Sequence, residues 1–590
     1  MERLDKTYQG PFDKTQLEKL SAPHKTIREP VHGDVLVNHL EVSIIDTKQF
    51  QRLRYHKQLG LCYMVYPGAE HSRFQHVVGT LHVATRMLDS VNSNAKRYRD
   101  PPGLWVPEYG RLLTRLAALL HDVANIPFGH TLEDEGLLVR KDWSDLDRTE
   151  IIFAKGGFLE QALSKSIEET LGLRDLPVIN RMVEVVLRDL RSILTDGGKA
   201  DFPFAYAADI VGNTFCADLL DYLERDAYFA GIQGKFRTDR SRAISYLFIP
   251  LSGDDKNRLV VRLWHKDRFK DDVISELFNV LRARKDLAEA VYFHHSKECL
   301  SAMLIAAAQR SNLIDRIKKD KSKLLEITDH QIFAGLESDE AGSLAKKLSA
   351  DILQRKLYVP VYLVSKLTTP DRQEGALDFK NIAEKMRNRS NWDNSDQNRP
   401  KQESADGAQF RMKVEDELSD LCNLDPGQVI IYCPDTEMNL KAAKARILWE
   451  RNHVAVLEKV PSGDIEERID IMRVEHQALW KFYIFADRDL AESQRKLLAA
   501  ACFDRFHREN EMVPYKDCKN ARNLSVDLWA SERSDKTIQE VELLKNALLQ
   551  PTRDKKFTDF LSQIGYSDKK LPASKIYDEI WKFQKEKLGD

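Results

Sequence analysis

Apolar residues recur at helical spacing through most of the first 350 positions. RFQHVVGTLHVATRMLDSV, GRLLTRLAALLHD and NTFCADLLDYLERDAYFAG each carry the period of an amphipathic helix, and Gly231 ends the third. Alternating strand patterns are few here. VLVN reads as a strand near the start, and SYLFIPL with RLVVRLW reads as a hairpin around residues 245–264. The pattern changes near residue 355. KLYVPVYLVSK, QVIIYCP, HVAVLEKV and ALWKFYIFAD read as strands with helical pieces between them. Residues 384–409 are polar, rich in Asn, Asp, Ser and Gln, and predict a mobile loop or linker.

These patterns predict a mainly α protein with a helical core, a short β-hairpin and a C-terminal α+β lobe. Residues 1–24 read as a polar lead-in and 25–350 as the core. The lobe spans 355–485, and a charged helical region follows over 486–590. No internal repeat is visible.

Composition narrows the picture. A chain of 590 residues exceeds what one core needs, so a large domain with appended lobes is expected. With 42% hydrophobic and 31% charged residues the balance is that of a soluble globular protein. A net charge of -2 gives no global pull towards nucleic acid or an anionic membrane. No apolar run approaches the roughly 20 residues that span a bilayer, and the charged N-terminus lacks the apolar stretch of a secretory signal. Seven cysteines are scattered without a CxxC, which fits reduced thiols in a cytoplasmic protein and disfavours a cysteine zinc site.

The candidate chemistry lies in LLHDVANIPFGH, where His121 and Asp122 stand together at the end of an apolar helix and His130 follows a short turn. His76 shares a face with Thr80, Val83 and Met87, an imidazole on an otherwise buried stripe. Each has a structural alternative: His76 as a satisfied core histidine, His121–Asp122 as a helix cap. The third element shifts the balance. Asp218, Tyr222 and Asp226 fall at i, i+4 and i+8 on a leucine-flanked helix, a stripe that faces either solvent or a site. His76, His121, Asp122 and Asp218 together make a mixed nitrogen and oxygen set for one divalent metal. It suits Mn²⁺, Mg²⁺, Fe²⁺ or Zn²⁺ and selects none of them. Such an ion serves phosphate-ester hydrolysis as Lewis acid and template.

Three segments occur in order: EPVHGDVLVNHLEVSIIDTKQFQRLRYHKQLGLCYMVYPGAEHSRFQHVVGTLHVA, LLHDVANIPFGHTLEDE and ADLLDYLERD. Through them the chain resembles, over about residues 25–300, the HD-domain deoxynucleoside triphosphate triphosphohydrolases. That group includes bacterial dGTP triphosphohydrolases and the animal dNTPase that carries a SAM domain; a SAM domain is not visible in this sequence. The resemblance implies His76, His121, Asp122 and Asp218 as metal ligands, with His130 and Glu133 as the proton-transferring pair at the α-phosphate. It also implies Arg73 on the phosphates, Gln58 and Leu59 at the deoxyribose, and Tyr222 and Asp226 at the sugar and base. Arg284 and Tyr292 match binding positions in the next helices. Asn125 matches the bacterial branch where the animal enzyme has His, and Asp145 stands where the animal enzyme has a further His. Leu219 replaces a phosphate-binding lysine of the animal enzyme, one positive charge fewer for the triphosphate.

Physical chemistry agrees with these implied roles. Arginine near the metal answers triphosphate charge, and a tyrosine packed at C2′ excludes a ribose hydroxyl. TLEDE, which holds Glu133, has the plainer reading of a solvated first helical turn. In relatives the DTxxFQRLR segment lines a regulatory nucleotide site at a subunit contact, which implies such a site at Asp46, Gln51 and Arg54. It implies too a homo-oligomer, dimer, tetramer or hexamer. The alternative there is an internal Asp46–Arg54 pair.

The expected activity is therefore cleavage of a dNTP to deoxynucleoside and tripolyphosphate, with nucleotide regulation and a use in antiviral defence. Two rivals remain at this stage. An HD-type nuclease or cyclic-nucleotide phosphodiesterase should show a concentrated basic, aromatic groove. A non-catalytic nucleotide sensor should have lost His130 or a ligand. Neither signature is present in the sequence.

Overall fold

The structure, a computed structural model, describes residues 10–132, 145–366 and 407–524, with 382 and 386 as isolated positions. Within those spans it leaves out 99–100, 130, 196–201, 214, 236–239, 266–267, 314–316, 318–320, 435–443, 451–452, 461, 520 and 522–523. His130 and Glu133, and most of the loop expected over 384–409, lie outside the described residues.

Helices dominate. In chain order they are α1 (Lys14–Ser21), α2 (His39–Ile45), α3 (Lys48–Gln51), α4 (Arg73–Arg97), α5 (Glu108–Leu120), α6 (Asp145–Ile152) and α7 (Phe158–Leu171). Then come α8 (Leu176–Thr195), α9 (Ala205–Gly212), α10 (Ala217–Phe229), α11 (Arg240–Ile244), α12 (Asp271–Leu287) and α13 (His295–Gln309). The last are α14 (Asp329–Glu337), α15 (Ser343–Leu353), α16 (Gly407–Cys422), α17 (Gly463–Gln477) and α18 (Glu492–Phe506). Among the described residues no helix is long and apolar enough to cross a membrane.

The expected helices form because their sequences supply both a cap and an apolar stripe. At the start of α4 Gln75 Oε1 accepts the backbone N–H of Ser72. At α2 Asn38 and Glu41 close a reciprocal capping box. Val77, Leu81 and Ala84 of α4, Leu113, Leu116 and Leu120 of α5 and Leu220 and Leu223 of α10 belong to one buried cluster. At roughly 1.5–3 kcal/mol for each buried aliphatic side chain, this shared stripe outweighs helix propensity in fixing how the three helices pack. The polar lead-in contributes too: α1 buries Leu17 and Leu20, and β1 (Pro23–Glu29) pairs antiparallel with β2 (Gly33–Asn38).

The expected hairpin is β3 (Leu247–Phe248) with β4 (Val260–Arg262), and a two-residue pair follows, β5 (Trp264–His265) with β6 (Arg268–Phe269). The next strands are β7 (Val359–Ser365), β8 (Val429–Tyr432), β9 (Arg446–Glu450), β10 (His453–Val456) and β11 (Lys481–Ala486). Strands β9 and β10 come from the stretch read as a C-terminal lobe, yet they extend the hairpin into a four-stranded sheet ordered β10-β9-β4-β3. Strand β9 runs parallel to β4, with Val261 opposite Ile447. Ile447, Leu457, Ile465 and Met472 consequently join the main core.

The rest of the lobe is a three-stranded antiparallel sheet ordered β7-β11-β8. Its strands alternate as a doubly covered sheet must. Ile430, Tyr432, Tyr483 and Phe485 face α13 and α15, while Val429, Ile431, Phe482 and Ile484 face α16 and α18. The mainly α class with a helical core and an α+β lobe is thus what the chain adopts.

Candidate functional site

Three helices bring the candidate donors together. His76 lies in the first turns of α4, His121 caps the C-terminus of α5 with Asp122 next to it, and Asp218 opens α10. Nε2 of His76, Nε2 of His121 and an Asp122 oxygen lie within 4.8 Å of one another. Asp218 Oδ1 is 3.1 Å from His76 Nε2 and 3.8 Å from His121 Nε2. Both Nε2 atoms are buried, and neither completes a hydrogen bond.

The other nitrogen of each ring is committed. His121 Nδ1 is 2.8 Å from the carbonyl of Ala118, and His76 Nδ1 is 2.7 Å from Asp221 Oδ2. An acceptor at Nδ1 fixes the proton there and turns the Nε2 lone pair inward, the usual arrangement behind a metal-ligating histidine. Two orphaned, buried imidazole nitrogens facing two carboxylates fit a divalent cation.

The same carboxylates also favour a proton on each ring, so a cation bound there would displace protons. Burial opposes charge at every one of these groups, but their partners overcome it. His76 is pushed up to about 10 by Asp218 and Asp221, and His121 is raised by Asp122 and Asp218. Burial would raise Asp122, yet His121, Arg73 and His76 hold it below the usual carboxylate range; His121 and His76 do the same for Asp218. The pocket is built to keep two carboxylates ionised beside positive charge.

Asp221 was missed by the sequence reading. It is fully buried one turn after Asp218, and it gathers His76 Nδ1, His32 Nε2 at 2.7 Å and a bidentate fork from Arg225 at 2.9 Å. Arg225 also pairs with Glu29, whose Oε2 accepts the backbone N–H of Val31 and of His32. Gly79 makes room for this: a Cβ there would lie 2.0 Å from Asp221 Oδ1. The local sign of Asp221 in the sequence is the i, i+3 spacing from Asp218.

The remaining implied residues fall into groups. Arg73 donates to Asp122 Oδ2 at 2.5 Å, and Asn125 donates to Asp122 Oδ1 at 2.8 Å, so both orient a donor carboxylate. Gln58 and Leu59 are half-buried in a turn whose backbone is held by His71, and Gln58 Oε1 is buried without a hydrogen bond. Tyr222 is half-buried, its hydroxyl pKa raised by burial against the opposing pull of Arg284. Asp226 is fully buried; its two oxygens meet His71 Nε2 at 2.8 Å and the Tyr292 hydroxyl at 2.5 Å. Asp226 and Tyr292 therefore engage each other.

Asp46, Gln51 and Arg54 are only partly joined. Arg54 donates to Gln51 at 2.7 Å and lies 3.6 Å over the Phe74 ring, while Asp46 is 3.6 Å from Lys25. The carboxylate of Asp46 thus faces Lys25. Asp145 starts α6, with its side chain outside the described residues.

The HD domain family matches residues 73–226, the span from the start of α4 to Asp226 near the end of α10. The chain carries an HD domain over these residues. An HD associated region matches residues 274–395. The chain is 29% identical over 295 residues to the human deoxynucleoside triphosphate triphosphohydrolase SAMHD1, covering 48% of this chain and 44% of that protein. With the chicken protein of the same name it shares 28% over 323 residues, 53% of this chain and 50% of that one. It is 34% identical over 183 residues to the uncharacterized protein MJ1154 of Methanocaldococcus jannaschii, 30% of this chain and 36% of that one. The chain spans about half the length of the SAMHD1 relatives it matches. At family level the resemblance to HD-domain dNTP triphosphohydrolases holds.

Proposed function

We propose that this chain is a metal-dependent dNTP triphosphohydrolase that converts a dNTP to deoxynucleoside and tripolyphosphate. The observation that carries the reading is the pair of buried, unbonded Nε2 atoms of His76 and His121 facing the carboxylates of Asp122 and Asp218. The substrate class is supported by relatives named for that activity.

His76, His121, Asp122 and Asp218 would hold the cation, which when bound supplies Lewis acidity and a template for phosphate oxygen. Arg73, whose guanidinium lies at the edge of Asp122, would take triphosphate charge. His130 and Glu133 would handle the proton of the attacking water and of the leaving 5′ oxygen. Tyr222, one turn beyond Asp218, would stand against C2′ and exclude a ribose. Gln58, with its unbonded Oε1, and Leu59 would border the sugar. Arg284 would lie near the base, and Asp226 and Tyr292, already paired, would brace that wall. Asp46, Gln51 and Arg54 would take a regulatory nucleotide in a homo-oligomer. Removal of dNTPs would also limit replication of an invading virus, the defensive role this reading includes.

Product chromatography tests the proposal, with each dNTP and NTP, Mn²⁺ or Mg²⁺, and a second nucleotide present or absent. Deoxynucleoside and tripolyphosphate from dNTPs, with NTPs untouched and Asp122→Ala inactive, are expected. Nucleoside monophosphate, or cleavage of an oligonucleotide, would contradict it.

A further inference from the structure

The turn that leads from the HD pair towards His130 is strained. Phe128 has φ 60° and Gly129 φ 44°. A non-glycine residue in the left-handed region costs roughly 1–2 kcal/mol, and such a conformation persists only where its surroundings enforce it. Gly129 suits its position, since a Cβ there would lie 2.3 Å from an Arg73 nitrogen. Phe128 has no such freedom.

Helix α14 holds Phe128 twice. Asp329 Oδ1 accepts its backbone N–H at 3.1 Å. Phe333, one turn later on the same face, meets its ring edge-on at 5.4 Å. The other Asp329 oxygen accepts the backbone N–H of Lys57 at 2.8 Å, the residue just before Gln58 and Leu59. One carboxylate therefore bridges the turn that follows the HD pair and the turn that holds Gln58 and Leu59.

Arg52 ties the same elements together from behind. Its Nη2 donates to the carbonyls of Val123 and Asn125, and its Nη1 to those of Leu324 and Ile327. Helix α14 has a first-turn contact apart from Asp329, since Gln331 Oε1 accepts the backbone N–H and the hydroxyl of Thr328. A buried carboxylate costs desolvation, and here both its bonds go to loop amides outside its own helix.

We propose that Asp329 and Phe333, in the HD associated region, are positioning residues that set the Phe128–Gly129 turn and the Gln58–Leu59 turn against the candidate metal centre. The inference rests on the proposed function for what those turns do. It gives the associated region a defined task in the reaction: holding a strained turn in register.

Asp329→Asn and Phe333→Leu in the full chain test this. Asn offers one acceptor oxygen, so one loop amide must lose its bond. Hydrogen exchange by mass spectrometry should quicken in at least one of the peptides covering 55–60 and 126–132 for Asp329→Asn, and in 126–132 alone for Phe333→Leu. With dGTP and Mn²⁺, kcat should fall by roughly 10–10²-fold, the penalty of a misplaced group. Calorimetric Mn²⁺ affinity should stay unchanged, because α4, α5 and α10 carry the candidate donors.

Unchanged exchange in both peptides would overturn the proposal. So would a parallel loss of Mn²⁺ affinity, which marks a merely structural support. If Asp329→Asn does not fold, Phe333→Leu carries the same test. If the unmodified chain cleaves no dNTP, the functional reading fails, while the exchange data still decide the bridge.

Discussion

One carboxylate, Asp221, decides which nitrogen of His76 faces the centre. It accepts at Nδ1, and Arg225 and His32 hold it in place. Residues of this kind tune a site without touching the ion, and their loss typically lowers metal affinity 10–100-fold. Asp221→Asn should do so in a Mn²⁺ titration while the protein stays folded; unchanged affinity would remove Asp221 from the account. The candidate donors are visible in sequence because an HD dipeptide, a histidine on a buried stripe and an aspartate at a helix start are conspicuous residue types. Asp221 is not, because a single sequence gives no sign that Arg225, Glu29 and Gly79 converge on it. His32 and Glu29 lie far away in the chain and reach Asp221 only through tertiary packing.

At the scale of elements, α14 links burial to pH. Burial raises the Asp329 carboxyl from 3.8 to about 6, against the two amide bonds that favour its charge. The folded chain therefore keeps this proton at pH values where the unfolded chain has lost it. The resulting stability is fully present below about pH 4 and is lost as pH rises through about 6, a swing of about 1–3 kcal/mol. Melting curves between pH 4 and 7 should show this loss in the unmodified chain and a flatter profile in Asp329→Asn. Parallel profiles would contradict the assignment. Helices α4, α5 and α10 could be read from periodicity, since their stripes and stops are local. The pairing of β9 with β4 could not, because no local signal says that residues 446–450 complete a sheet begun near residue 247.

At the scale of the molecule, the 46–54 segment sits where a second nucleotide could act on the site. Arg54 stacks on Phe74, two residues before His76, and Arg52 grips the carbonyls behind the HD pair. A ligand that draws Arg54 outward would act on α4 at its first turn. Arg54→Ala should abolish activation by a second nucleotide, or the accompanying shift in mass by light scattering, and leave the melting temperature unchanged. An earlier melt with normal nucleotide dependence would reduce the residue to a surface brace.

The central claim is hydrolysis at the α-phosphorus of a dNTP by the four-donor centre. Phosphorus NMR of dGTP turnover with Mg²⁺ in water enriched in heavy oxygen tests it most directly. Tripolyphosphate with the isotope shift on one terminal phosphorus is expected, with the label on no other phosphorus species. Label in a nucleoside monophosphate or in inorganic phosphate, or turnover that persists in Asp122→Ala, would contradict it.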